Sequence, residues 1–295
     1  MALVISVLEQ GFIYTIMALG IYITYKILDF PDLTVDGSFP MGAALAAILI
    51  TKGAPAILTL PIAFLAGGIA GLATGLIHVK LHVRDLLSSI IVMTALYTVN
   101  LRIMGKANVP LYNESTIFDN DLVNGIFGGS LANYKTTLIL LLIVIIVKLL
   151  LDWYLKTKNG FILRAVGSND KLVTSLGIDK GRVKIWGLVL ANGLCTLSGC
   201  LYAQEQRYAD VSMGTGTMVI GLASVIIGTS LFRKVNFVSV TSSVVIGSVI
   251  YKAAVAIAVH FLHNADDLKL ITSVLFLIIL VISMDKKRKV ASDDA

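Results

Sequence analysis

The sequence predicts an all-α protein that crosses a membrane many times, and three observations predict it. Of its 295 residues 57% are hydrophobic and 14% charged, whereas a soluble domain carries about 25% charged residues and about half apolar ones. Apolar runs approaching the roughly 20 residues that cross a hydrocarbon core of about 30 Å recur along the whole chain. Between them lie short loops and one longer basic stretch. The length therefore accommodates eight or nine membrane segments in a single transmembrane domain, residues 1–284, followed by a basic tail, 285–295. It leaves no room for a sizeable soluble domain.

Helices are expected near residues 5–27, 39–51, 56–77, 86–104, 136–155, 183–204, 217–232, 236–259 and 268–284. The first run starts at MALVISVLEQG without a basic flank and is read as a span, not as a cleaved signal. The second run is too short to cross alone and follows FPDLTVDGSFP, which makes it a broken or re-entrant element. Such backbone is tolerated at membrane depth only where protein buries it or it lines a cavity. Pro31 and Pro40 are expected to interrupt helix there. Asp32, Thr34, Asp36 and Ser38 are residue types that cap helices or bind polar groups. Two readings remain for them: a capped loop at the interface, or a structured element under a translocation path.

In the third run Gly67, Gly71 and Gly75 recur every fourth position, a spacing that lets helix backbones approach closely in lipid. His78 and His82 are four apart, but the turn after them offers only Asp85, so no metal site is expected. The loop from Gly105 to Tyr134 carries Glu114, Asp119 and Asp121 and reads as a docking surface for an extracellular partner. Its Asn113-Glu114-Ser115 fits the glycosylation sequon, a match of low specificity. Cys195 and Cys200 share one apolar segment and read as small packing residues.

Charge sets the orientation. With the 157–184 loop in the cytoplasm, about 16 of the 24 Lys and Arg fall on that side, among them Lys26, Lys80, Arg84, the loop cations, Arg233, Lys234 and the KKRK of the tail. The other face keeps Lys52, Arg102, Lys106, Lys135, Arg207 and Lys269. The N-terminus is thus expected outside and the C-terminus in the cytoplasm. KKRK directly after a span is a stop-transfer flank, and the net charge of +6 reflects this bias, not a nucleic-acid partner. Charges deep in spans are sparse, and two lysines stand out, Lys148 and Lys252. Lys148 lies late in the fifth and can snorkel; Lys252 lies nearer the middle of the eighth, where burial is costly and informative. Glu9 and Glu205 sit toward outer ends, and the shortage of acids at the midplane counts against an ion-coupled carrier. The phosphate-cradling G-x-x-x-x-G-K-[ST] order is missing, and no Ser/His/Asp or paired-carboxylate constellation stands out. The chain is read as a non-enzyme without a cofactor of its own.

The stretch from Thr157 to Gly228 has the most specific order: a basic loop, a short polar helix, a span, a small-residue break and another span. Within it stand Asn159-Gly160, Arg164-Ala165-Val166-Gly167-Ser168-Asn169 and Ser175-Leu176-Gly177-Ile178. Met213-Gly214-Thr215-Gly216 and the run from Leu222 to Gly228 follow. Upstream stands Asp32-Leu33-Thr34-Val35-Asp36-Gly37-Ser38. These three ordered segments resemble the permeases of ATP-binding-cassette importers for branched-chain amino acids, ribose-type sugars and nucleosides. One departure is Phe161, where that family often has arginine after the glycine; here the arginine is Arg164. The compact length and LDFPDLTVDGSFPMGAA look most like the small permeases for tryptophan- or tyrosine-type amino acids.

The resemblance implies a coupling segment made of Arg164, Gly167, Ser168, Asn169, Asp170, Lys171, Leu172, Val173, Leu176, Gly177 and Ile178. A short amphipathic helix is expected from about Asn169 to Leu176, capped by Ser168 or Asn169, favoured by Asp170 in its first turn and ended by Gly177. Leu172, Val173 and Leu176 would share the face that enters an ATPase cleft, with Arg164, Lys171 and Lys180 at its rim. The implied partners are a cytoplasmic ATPase dimer that carries ATP and Mg, an extracellular or periplasmic substrate-binding protein, a second permease copy in a homodimer, and membrane lipid. The implied location is a bacterial plasma membrane. Asp32, Thr34, Asp36, Gly37, Ser38, Gly214, Gly216 and Gly228 form the structural motif. Met41, Met93, Asn192, Met213 and Thr217 are candidates for lining the pathway by polarity and position. The implied function is amino acid import, with sugar or nucleoside import as the alternative and an ion-coupled transporter as the rival from another class.

Overall fold

The structure, a computed structural model, describes residues 2–126, 133–232, 239–262 and 270–281. The basic tail 285–295, Arg233, Lys234, residues 127–132 of the outer loop, and the ends 236–238, 268–269 and 282–284 of predicted spans lie outside the described residues. All nine predicted apolar elements coincide with helices. They are α1 (Ala2–Ile21), α2 (Val35–Thr51), α3 (Thr59–Lys80), α4 (Asp85–Met104), α6 (Lys135–Lys156), α9 (Lys180–Gln206), α10 (Thr217–Leu231), α11 (Val240–Leu262) and α12 (Leu270–Val281). Among the described residues, seven segments are long and apolar enough to cross a membrane, while α2 and α12 are shorter. Apolar solvent leaves a helix as the way for such a run to satisfy its own backbone, which is why the apolar pattern locates the elements well.

Helix α9 is the centre of the bundle; 72% of its most apolar window is buried. It is flanked by α2 and α3, and small residues make the contacts. A Cβ added at Gly42 of α2 would overlap the carbonyl oxygen of Thr196, and one at Gly199 the carbonyl oxygen of Phe39. Gly67 and Gly71 of α3 meet α9 backbone at Asn192 and Leu188 in the same way, so the four-residue glycine spacing is a helix-packing device. The cysteines are both buried and free, with Cys195 Sγ 3.8 Å from the Met17 carbonyl and Cys200 Sγ 3.3 Å from Thr59 Oγ1. Because the neighbour of Gly42 is backbone and cannot rotate away, Gly42→Val is expected to cost at least about 3 kcal/mol. The check is size-exclusion yield in detergent, which should fall sharply for Gly42→Val and little for Gly125→Ala, a site with open space around it.

Two expectations are corrected. The second element is not broken: α2 is a continuous helix that starts at Val35, and Pro40 lies inside it. The irregular backbone comes before it. The chain after α1 widens into π-helical turns over Tyr22–Ile27, then runs without helix to Asp32, with Leu28, Phe30 and Asp32 buried by protein. Second, the basic stretch after residue 157 is not an open loop with one helix. Lys158–Ser168 forms a further helix, α7, ahead of the expected short one, α8 (Asp170–Ser175). Thr157 caps α7 by accepting from the Gly160 amide. The outer loop forms regular structure over its described part. Its strand β1 (Asn108–Pro110) pairs antiparallel with β2 (Tyr208–Asp210) just after α9, and a short helix α5 (Asp121–Ile126) follows. Lys148, expected to snorkel, pairs with Asp152 one turn on at 2.9 Å, and Asp152 also accepts from Thr241 of α11.

Candidate functional site

Three sequence segments far apart in the chain meet in the structure, and two carboxylates join them. Asp32 sits in the irregular stretch before α2. One of its oxygens accepts from the Thr34 amide at 2.9 Å, and the other from Asn192 Nδ2 of α9 at 2.7 Å. Asn192 Oδ1 accepts in turn from Ser38 Oγ at 2.7 Å, and Thr34 Oγ1 lies 2.8 Å from Thr74 Oγ1 of α3. Asp32, Thr34, Ser38 and Asn192 are all buried. Buried polar groups are costly unless satisfied, and this network satisfies them while tying the entry of α2 to α9 and α3.

Asp36 lies in the first turn of α2 but caps a different helix. Its Oδ1 accepts from the Met218 amide at 2.8 Å and from Thr217 Oγ1 at 2.9 Å, and its Oδ2 accepts from the Gly216 amide at 3.1 Å. The amides at the start of α10 lack partners in their own helix, and a carboxylate is favoured there. Pro40 explains the neighbouring glycine. Without an N–H it leaves the Asp36 carbonyl free of its helical bond, and Gly214 sits against that carbonyl and the Pro40 ring, where a Cβ would overlap both. Gly216, with φ +84°, turns the chain into α10 in a conformation that favours glycine. Gly37 fits against Leu96 and Met93 of α4, and Asn100 Nδ2 donates to its carbonyl at 3.0 Å. At the other end of α10, Gly228 lets the helix touch α11 at Ser243.

The α7–α8 hairpin stands on the end of the bundle near this network. Gly167 lies against the carbonyl of Ile27, the last residue of the π-helical turns, where a Cβ would overlap the oxygen. Asn169 caps α8 by accepting from the Leu172 amide at 3.1 Å. The helix ends as Gly177 adopts φ +77°, with the Gly177 amide on the Thr174 carbonyl and the Ile178 amide on the Val173 carbonyl, a Schellman closure. Lys180 pairs with Asp170 at 2.8 Å, and that ammonium holds the Asp170 carboxyl below its usual range. The three apolar residues expected on one face divide: Val173 is buried in the hairpin, while Leu172 and Leu176 are 55% and 69% exposed. Arg164, Ser168 and Lys171 are also exposed.

Of the candidate pathway residues, Asn192, Met41 and Thr217 are buried within the chain, and Met93 and Met213 are half-buried. Met41 packs with Ala70, Val92 and Leu96. His78 closes the α3–α4 turn, its Nδ1 2.9 Å from the Val83 carbonyl and its ring edge-on to Phe30.

At the opposite end of the bundle the outer loop is strapped to α9. Arg207, with φ +62°, donates to the Glu114 carbonyl and to Asp119 Oδ2, both at 2.7 Å. Asp119 also binds Asn124 at 3.0 Å and Lys135 at 3.2 Å. These donors, Asn124 first, then Lys135 and Arg207, depress its carboxyl to about 2. A depressed carboxylate contributes stability that is full above the unfolded value of about 3.9 and is lost as pH falls through the folded value. The strap is therefore expected to hold at pH 5 and to release between about pH 4 and 2. Peptic cleavage within residues 111–120 should rise across that window in the wild type and be raised throughout it in Asp119→Asn.

Comparison with known proteins places the chain. The family model described as branched-chain amino acid transport system / permease component matches residues 3–284. A tyrosine transport system permease protein of Clostridioides difficile (strain R20291) is 44% identical over 274 residues, which cover 93% of this chain and 89% of that protein. A probable branched-chain amino acid transport permease of Methanocaldococcus jannaschii is 29% identical over 228 residues, 72% of this chain and 70% of its own. The ribose import permease protein of Haemophilus influenzae is 23% identical over 274 residues, 92% of this chain and 79% of its own. No solved structure matches. With the match running through the Asp32–Ser38 segment, the hairpin and the α10 junction alike, this chain belongs to the branched-chain amino acid transport system permease family, the membrane subunits of ATP-binding-cassette importers.

Proposed function

We propose that this chain forms half of the membrane pathway of an ATP-driven importer whose cargo is an aromatic amino acid of the tyrosine type. The observation that carries the reading is the α7–α8 hairpin. Its fold is held by a cap, a Schellman closure and Gly167 against the bundle, yet Leu172 and Leu176 project from it exposed among the described residues. Such a small apolar knob on a rigid base suits the cleft of a cytoplasmic ATPase. Two copies of the permease in a homodimer would present two knobs to an ATPase dimer that carries ATP and Mg. The strapped outer loop is the surface proposed for a substrate-binding protein, with the N-terminus outside and the assembly in a bacterial plasma membrane. The amino acid assignment rests on the 44% identity with a permease named for tyrosine transport.

In this reading closure of the ATPases moves α8. The Gly167–Ile27 contact passes the motion to the π-helical turns and the irregular stretch before α2, and Asp36 passes it to the start of α10. Proteoliposomes holding the permease, its ATPase and its binding protein test the proposal with labelled L-tyrosine, L-tryptophan, L-leucine and ribose. ATP inside and tyrosine uptake that needs all three components are expected. Uptake by the permease alone under a proton or sodium gradient contradicts an ATP-driven importer, and uptake of ribose without amino acids contradicts the cargo.

A further inference from the structure

The chain has two tryptophans, Trp153 near the end of α6 and Trp186 in the second turn of α9. Both stay exposed, at 69% and 63%. Tryptophan is enriched where a membrane meets water, with its ring at the depth of the headgroups. Each also lines a cavity, and the two cavities meet. One, of about 340 Å³, opens between α6, α7 and the start of α9, with Asn159, Arg182 and Trp186 on its walls. The other, of about 320 Å³, runs between α6 and α9 past Trp153. Tyr154 and Leu190 line both, so the two make one groove.

The groove is polar at one end and apolar along the rest. At the hairpin end stand Asn159, in the first turn of α7, and Arg182, in the first turn of α9, both exposed. Arg182 Nε lies 3.2 Å from Asp179 Oδ2, an exposed pair of little net weight. A guanidinium carries five N–H donors in a fork, so most of them remain for a ligand. Lys156 and Lys158, next to Asn159 in the chain, are exposed as well. Away from this end the walls include Val147, Leu150, Leu151, Leu194 and Leu197. From Arg182 to Leu197 is fifteen residues of one helix, about 22 Å. One leaflet with its headgroup layer is half of about 40–45 Å, which is the same length.

We propose that this groove holds an anionic phospholipid of the leaflet on the hairpin side, its phosphate on Arg182 and Asn159 and one acyl chain along α6 and α9. Arginine meets phosphate through parallel charge-assisted hydrogen bonds, and the Asn159 amide adds a neutral donor. The apolar walls separate a lipid from free phosphate, which would leave them in water. Because the site spans α6, α7 and α9, the bound lipid braces the base of the hairpin. The inference rests on the groove and is independent of the cargo and of the ATPase.

The experiment uses the full-length permease in phosphatidylcholine vesicles, with brominated phosphatidylglycerol and brominated phosphatidylcholine as probes. A brominated chain in the groove quenches the fluorescence of both tryptophans, which gives the relative binding constant of the two lipids. The wild type is expected to favour phosphatidylglycerol about fivefold, and Arg182→Gln to lose that preference. The folding of Arg182→Gln is measured by size exclusion; if it does not stay monodisperse, Asn159→Asp, which sets a carboxylate against the phosphate at an exposed position, decides by losing the preference. Equal constants in the wild type, or an undiminished preference in the deciding variant, overturn the site. A disulfide between two chains of Leu150→Cys in the same vesicles assigns the groove to a second copy, and a preference seen only after residues 285–295 are removed assigns it to the C-terminal tail. Either result overturns the lipid site.

Discussion

Asp36→Ala is expected to unfasten α10 from α2 and to reduce transport below a tenth of wild type. The substitution removes a cap with three donors on it: the amides of Gly216 and Met218 and the hydroxyl of Thr217. A lost cap costs typically about 1 kcal/mol. Here the Thr217 hydroxyl keeps the Gly214 carbonyl at 3.0 Å, while the part-buried Gly216 and Met218 amides lose their acceptor, and each buried group left unpaired adds roughly 1–3 kcal/mol. A total of about 3 kcal/mol follows, with a fall in Tm of about 5–10 °C. Asp36→Asn keeps a carbonyl acceptor and should recover part of the loss. The check is thermal unfolding in detergent alongside uptake. An unchanged Tm would mean that the carboxylate does not hold the junction. The transport loss is expected to exceed the stability loss, because the same bonds connect the hairpin end of the bundle to α10.

The second large effect concerns the hairpin. Leu172→Glu combined with Leu176→Glu is expected to abolish binding of the ATPase while the permease stays folded. Both side chains are exposed, and substitutions at such sites usually change stability by no more than about 0.5 kcal/mol. In a docked interface each leucine contributes about 1.5–3 kcal/mol when fully buried, so losing two weakens binding at least about 100-fold. Val173→Glu separates the roles. Val173 is 2% exposed, and a charge there is expected to disrupt the hairpin itself, seen as proteolysis between Lys158 and Lys180. ATPase binding by the double glutamate variant at wild-type strength would remove the knob-in-cleft account.

The helices and the hairpin cap were legible from sequence for a physical reason. Lipid removes the alternatives to helix, so apolar length alone located nine elements. The Asn169 cap and the Gly177 stop were legible because both are local chemistry within a few residues. What could not be read was non-local. Asp36 looks like a capping residue in sequence, but nothing near it says that the helix it caps begins about 180 residues later at Thr217. The β1–β2 pair consists of three-residue strands about 100 residues apart, too short for an alternating pattern. Helix α7 was missed because it is short and carries Gly160 and Gly167, and its stability comes from packing: Gly160 against Tyr154 and Leu155, and Leu163 and Val166 buried. Pro40 misled in the usual direction. The carbonyl its missing N–H leaves open lies against Gly214, a residue of another segment that has no side chain to clash with it.

The central claim is that the hairpin is where an ATPase engages this permease, and deletion of residues 169–176 tests it most directly. The deletion removes α8 with its cap and leaves Gly167 on Ile27, so membrane insertion and the detergent-solubilised yield of the permease should survive. Affinity purification through a tag on the permease then reads out the partner. The account predicts that the ATPase co-purifies with the full chain and is lost from the deleted one. Equal recovery of the ATPase with both chains would contradict it.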